Sequence, residues 1–203
     1  MDNILQGLPG VICYLDDVLI TGKTDEEHLA NIEAVFARLE EYGIRLKLNK
    51  CAFMKESVQY LGHIIDRNGV HTCEAKIEAL KSMPMPRNVG ELRSFLGLIN
   101  YYGKFVKNLA SICKPLYQLL QKDIKWSWSQ ECSNAIEILK SKLSHAPVLV
   151  HYDAEVKLGL ACDASSTGLG AVLFHIYSDG TEKPICYASK TLNKNPSTKY
   201  PQT

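Results

Sequence analysis

No run of apolar residues in this 203-residue chain reaches the roughly 18 that a membrane span needs. The N-terminus also lacks the charged start and apolar core of a secretory leader, so neither membrane insertion nor export is expected. Net charge is nearly absent: 23 Lys and Arg stand against 22 Asp and Glu, leaving +1, so overall charge identifies no partner. Paired cysteines are missing too. The seven cysteines include no C-x-x-C and form no even framework, and they read as reduced thiols of an intracellular protein. His63, His71 and Cys73 follow Cys51 at spacings that fit no zinc template.

What is present is an ordinary globular composition, 46% hydrophobic and 22% charged. The length suits one large domain or two small ones. Charge is uneven along the chain. Asp16 to Glu41 holds eight acidic residues against two basic, and Arg87 to Lys125 seven basic against two acidic. Such blocks fit a metal-binding end and a phosphate-binding middle, and fit solvated helix faces equally well.

The chain is organised around Val11-Ile12-Cys13-Tyr14-Leu15-Asp16-Asp17-Val18-Leu19-Ile20-Thr21. Two short apolar runs flank adjacent aspartates, which predicts a β-hairpin turning at the acidic pair. A two-residue turn favours Asn-Gly or Asp-Gly. Asp-Asp instead sets two like charges side by side, which disfavours joint ionisation unless a cation intervenes. Hard Mg²⁺ or Mn²⁺ takes such oxygens, and paired ions serve phosphoryl transfer. Taken alone, the pair is equally consistent with a solvated acidic turn.

Met1 to Leu8 reads as the end of a helix. Thr24-Asp25-Glu26-Glu27 is a capping box, and Leu29, Ile32, Val35, Phe36 and Leu39 recur at helical spacing towards Tyr42 and Gly43. Ile44, Leu46 and Leu48 alternate with polar residues as a strand does. A second β region is expected over Val58–Ile65, turning at Asp66-Arg67-Asn68-Gly69. It contains Tyr60-Leu61-Gly62-His63, where a glycine within a strand marks a bulge or a close approach.

Met83-Pro84-Met85-Pro86 breaks the chain. Asn88 with Glu91 begins a helix carrying Leu92, Phe95, Leu96 and Ile99 into Tyr101-Tyr102-Gly103. Further helices are expected near Pro115–Leu120, and after Trp126 and Trp128, where Ser127 and Gln130 form a capping box ahead of Ala135, Ile136, Leu139 and Leu143. From Pro147 the pattern returns to β. Strands are expected over Leu158–Cys162, Ala171–Phe174 and Ile185–Ser189, with turns at Asp163-Ala164-Ser165-Ser166-Thr167-Gly168 and Asp179-Gly180. An aspartate at a strand end is by itself most often a turn former.

Several of these motifs, in this order, resemble the pol polyprotein of gypsy-type LTR retrotransposons. Tyr14-Leu15-Asp16-Asp17 resembles the Y-x-D-D hairpin of reverse transcriptases. Tyr60-Leu61-Gly62-His63 resembles their primer grip, which holds the 3′ end of the growing strand over the metals. Glu91-Leu92-Arg93-Ser94-Phe95-Leu96-Gly97-Leu98-Ile99-Asn100-Tyr101-Tyr102 looks like their thumb, whose helices track the minor groove. Asp163-Ala164-Ser165 with Gly168, Gly170 and Ala171 resembles the opening of their ribonuclease H fold.

The resemblance implies an α+β chain in three parts: a partial palm over 1–82, a helical thumb over 83–146 and a truncated ribonuclease H-like domain over 147–203. It implies two-metal phosphoryl transfer in the complete enzyme with Mg²⁺ or Mn²⁺, held by Asp16 and Asp17 in the polymerase and by Asp163 in the nuclease. Tyr14, Leu61, Gly62, His63, Arg93, Lys104 and Lys107 would meet nucleic acid. The partners implied are an RNA template, a DNA primer, their RNA–DNA hybrid and deoxynucleotides. The family's upstream catalytic aspartate and its later nuclease acids are expected to lie outside 1–203. The chain alone is therefore expected to be inactive, with exposed aliphatic residues on its last sheet. A non-catalytic retroelement-derived protein that at most binds nucleic acid is the other reading.

Overall fold

The computed structural model describes residues 1–165 and 168–192. The chain separates into two compact units, Met1–Tyr60 and Leu61–Thr203. The expected thumb and nuclease segments thus fall within one unit. Both units mix helices with antiparallel sheets, as an α+β chain should. No helix among the described residues is long and apolar enough to cross a membrane.

In the first unit a short helix α1 (Asp2–Leu5) precedes strands β1 (Val11–Tyr14) and β2 (Asp17–Ile20), followed by helix α2 (Asp25–Glu41). The strands pair from Val11↔Ile20 to Tyr14↔Asp17, so the two turn residues are Leu15 and Asp16, not both aspartates. Paired residues share a face. Val11, Cys13, Val18 and Ile20 therefore turn inward onto Leu5, Val35 and Leu39, while Ile12 and Tyr14 stay exposed. Two side chains of α2 tie this together. Asn31 donates to the Thr21 carbonyl at 2.7 Å, and Arg38 to that of Ile4 at 2.9 Å.

The Thr24 cap holds: its hydroxyl accepts from the Glu27 amide, while the Glu27 carboxylate accepts from the Lys23 amide. Of the apolar stripe expected on α2, Ile32, Val35 and Leu39 are buried, whereas Leu29 and Phe36 are largely exposed. The alternation from Ile44 to Asn49 does not become a strand. Leu48–Lys50 is a 3₁₀ turn, and Leu46 and Leu48 are exposed. A strand needs a partner for its backbone groups, and alternation alone does not supply one. Strand β3 (Ser57–Tyr60) ends the unit.

The second unit opens on the hairpin of β4 (His63–Asp66) and β5 (Gly69–Thr72). Leu61 and Gly62 precede it as a reversal with φ of 45° and 68°, so Gly62 does not lie inside a strand as expected. At the tip the Asp66 carboxylate accepts from the amides of Asn68 and Gly69. Helix α3 (Glu74–Ser82), unassigned in the sequence, follows, then α4 (Val89–Tyr101), α5 (Leu109–Gln118) and α6 (Gln130–Ser144).

Leu80, Leu92, Phe95, Ile99, Leu116, Ile136, Leu139 and Leu143 from these helices form a continuous core. Asn88 caps α4 as expected, accepting from the Glu91 amide at 2.9 Å. The cap of α6 is Ser129, which accepts from the Cys132 amide, and not Ser127. Lys140 of α6 donates to the carbonyls of Lys81 and Met83, closing the end of α3, where a cation is favoured.

The last sheet orders β6 (Lys157–Ala164), β7 (Gly168–Ile176) and β8 (Glu182–Thr191) as a meander. One face leans on the helices: Tyr187 packs on their core, and the Ala110 amide donates to Ser189. Leu158, Leu160 and Leu169 are exposed, as expected for this sheet. Ser166, Thr167 and Pro201-Gln202-Thr203 lie outside the described residues.

Candidate nucleic-acid and metal sites

Three clusters of the expected residues are defined by these elements. At the first, the β1–β2 hairpin carries Asp16 in its turn and Asp17 across from Tyr14, on the outer face of the ribbon. Tyr14, Leu15, Asp16 and Asp17 are all exposed. Leu15 takes φ of 54°, a conformation that costs a non-glycine residue about 1–2 kcal/mol, so the tip is more sharply bent than its sequence prefers. Among the described residues neither carboxylate is held by a hydrogen bond or an ion pair. Their hard oxygens suit a divalent ion such as Mg²⁺. Among the described residues no three His, Cys, Asp or Glu side chains form a group able to hold a metal, so the tip offers two carboxylates and no third.

At the second, Leu61, Gly62 and His63 meet the end of α4. Tyr102 donates its hydroxyl to the Gly62 carbonyl at 2.8 Å, and Tyr101 donates to the Leu61 carbonyl. The His63 ring stacks flat on Tyr101, 5.1 Å between centroids, and stands edge-on to Tyr102. A β-carbon at Gly62 would come within 3.2 Å of the Tyr101 hydroxyl, so glycine serves both the positive φ and the close approach.

His63 is buried, which pushes its pKa down to about 4, with the nearby Lys104 ammonium a lesser cause. It is neutral at physiological pH. Burial likewise raises Tyr102 to about 12, so that its hydroxyl remains a donor. Lys104 is half-buried, which lowers its pKa, and its ammonium lies 5.5 Å from the Phe105 ring centroid. Arg93 and Lys107 are exposed. The tyrosine–turn contact was not foreseen from the sequence. The only signal was two adjacent tyrosines, each with one hydroxyl, closing an apolar helix.

At the third, Asp163 sits one residue inside the end of β6, opposite Gly170. It is exposed on the face that turns towards α5. A β-carbon on Gly170 would strike Asn108 at 2.5 Å, so this glycine admits the residue that precedes α5.

Residues 1–65 match the family described as reverse transcriptase (RNA-dependent DNA polymerase), and 128–203 match the RNase H-like domain found in reverse transcriptase. The Transposon Tf2-3 and Tf2-7 polyproteins of Schizosaccharomyces pombe are each 35% identical over 184 residues, 91% of this chain and 14% of theirs. Among solved structures, the foamy viral protease-reverse transcriptase dRH in complex with double-stranded DNA superposes with a TM-score of 0.81 at 32% identity, over 95% of this chain and 34% of that one. The foamy viral protease-reverse transcriptase in complex with RNA/DNA hybrid gives 0.78 at 32% identity, over 95% of this chain and 26% of that one. The chain thus spans 14% of the length of the curated relatives it matches.

Proposed function

Because the chain belongs to the reverse transcriptase and ribonuclease H part of gypsy-type retrotransposon polyproteins, we propose that it serves RNA-directed DNA synthesis and ribonuclease H cleavage. In this reading 1–82 act as palm, 83–146 as thumb and 147–203 as nuclease segment. The substrates are an RNA template, a DNA primer, deoxynucleotides and the RNA–DNA hybrid. The observation that carries the reading is the exposed Asp16–Asp17 pair at a sharply bent hairpin tip, free of protein partners among the described residues.

Asp16 and Asp17 hold Mg²⁺ or Mn²⁺ in this scheme. When bound, such ions favour the ionised primer hydroxyl and the leaving pyrophosphate. Tyr14, on the face it shares with Asp17, lies against the last base pair. Leu61, Gly62 and His63 hold the primer end, while Arg93, Lys104 and Lys107 pair with phosphates. Asp163 binds the nuclease metal. A second reading, a non-catalytic nucleic-acid binder, is favoured by the exposed Arg93 and Lys107, which could meet phosphates without any metal.

Both readings require duplex binding, which fluorescence anisotropy of a labelled primer–template across a salt series measures. Affinity should fall with salt by about 0.9 log unit per log unit for each phosphate contact. Arg93→Ala and Lys107→Ala should each lower that slope by about one contact without changing sequence preference. Affinity that is flat with salt contradicts both. Mn²⁺-dependent tightening on the primer end that Asp17→Asn abolishes separates the enzyme from the binder.

A further inference from the structure

The Leu61–Gly62 reversal has a feature that its own strands do not account for. Both of its carbonyls are taken by side chains from one helix end, 40 residues away. Resting on the proposal that this turn meets a primer, we propose that Tyr101 and Tyr102 are positioning residues, each hydroxyl fixing one carbonyl so that α4 sets the turn's orientation.

Leu61 takes a positive φ that leucine disfavours, so an outside constraint is needed to keep this conformation. The tyrosines provide it. Tyr102 is almost wholly buried, and a buried phenol requires a partner, which is the Gly62 carbonyl. Tyr101 is 47% exposed, so water could satisfy its hydroxyl, yet it bonds to Leu61. The following residue is held as well: the His63 ring is flat against Tyr101 at 5°, edge-on to Tyr102, and 5.7 Å from Phe105.

With its carbonyls occupied, the reversal still offers its half-exposed Leu61 side chain to a ligand. Lys104 lies two residues beyond Tyr102, and its ammonium is 5.5 Å from the centroid of the Phe105 ring that also meets His63, which places a cation near the same turn. A polyanion held there meets a preset turn rather than a flexible one, and ordering costs are met before binding.

The test uses the whole chain and a primer–template with 2-aminopurine at the primer 3′ terminus, or else far from it. Tyr101→Phe and Tyr102→Phe remove one hydroxyl each and keep the rings. Both should melt cooperatively and bind duplex within about twofold of wild type, since phosphate contacts dominate affinity. The terminal reporter's response on binding should drop at least about twofold, while the internal reporter is unchanged. In the free chain, amides around Leu61–Ile64 should exchange about fivefold faster, as loss of one ordinary hydrogen bond allows.

Tyr101→Phe guards against misfolding, because Tyr101 is half-exposed whereas Tyr102 is buried. An unchanged terminal response in a folded Tyr101→Phe and Tyr102→Phe pair overturns the positioning role and leaves the proposed function standing. A wild-type chain that binds duplex but gives no terminal response overturns both.

Discussion

His63 shows how one buried side chain makes the chain sensitive to pH. Its folded pKa of about 4 lies below the 6.5 of an unfolded histidine. Between those values the unfolded chain binds a proton that the folded chain refuses. Stability is therefore intact above pH 6.5 and declines as pH falls towards 4, by up to about 3 kcal/mol. Asp66 acts in a lower window. The His71 ring nitrogen, 3.0 Å from its carboxylate, holds it to about 2, so its contribution is lost only as pH drops below about 4. Urea melts at pH 7 and 4.5 should show the loss in wild type and little of it in His63→Phe, which keeps a ring against Tyr101. An equal loss in both would assign the effect elsewhere. At this scale the sequence was legible where chemistry is local. The adjacent aspartates are exposed at a hairpin tip, as their pattern implies. The tyrosine bonds to Leu61 and Gly62 were not legible, because they join positions 40 residues apart and leave no trace in local spacing.

At the scale of elements, helix starts were readable where the cap and the first buried turn coincide. Asn88 and Thr24 cap as expected because each sits three residues ahead of a glutamate and next to an apolar stripe. The misreading at α6 has a physical cause. Ser127 has the right partner type in Gln130, but the buried stripe begins at Cys132, in register with Ser129, whose neighbour Trp128 is fixed by donating to Ser133. Ser129→Ala should cost about 1 kcal/mol in chemical denaturation, and Ser127→Ala close to nothing. The reverse order would place the cap where the sequence pattern alone put it. Ile44–Asn49 teaches the complementary lesson. Alternation predicts a face, but a strand also requires a partner, and that information lies outside the segment.

For the molecule as a whole, the two units should differ in resistance. Met1–Tyr60 is centred on three fully buried residues, Leu5, Val35 and Leu39, whereas the second unit has a core running through α3–α6 and onto the last sheet. Limited proteolysis should cut first within 44–56 and leave a fragment beginning near Leu61. Survival of the first unit alone would contradict this. The exposed Leu158, Leu160 and Leu169 form part of an apolar sheet face, which should favour self-association. Leu160→Asp should lower the sedimentation-detected association of the chain without lowering its melting temperature by more than a degree or so, as a substitution at an exposed site does. The motifs lead to the expectation of three segments in order, whereas the compact units are two. Compactness follows the cores instead, since Leu149 is buried in the helical cluster and Tyr187 packs against it.

The most direct test concerns the hairpin tip, on which the reverse-transcriptase reading depends. Mn²⁺ titrated into the isotopically labelled chain should selectively broaden the backbone resonances of Tyr14 to Val18. That effect should disappear in Asp16→Asn and weaken strongly in Asp17→Asn, with the rest of the spectrum unmoved. Broadening centred elsewhere, or unchanged in both variants, would show that the paired aspartates are an ordinary solvated turn.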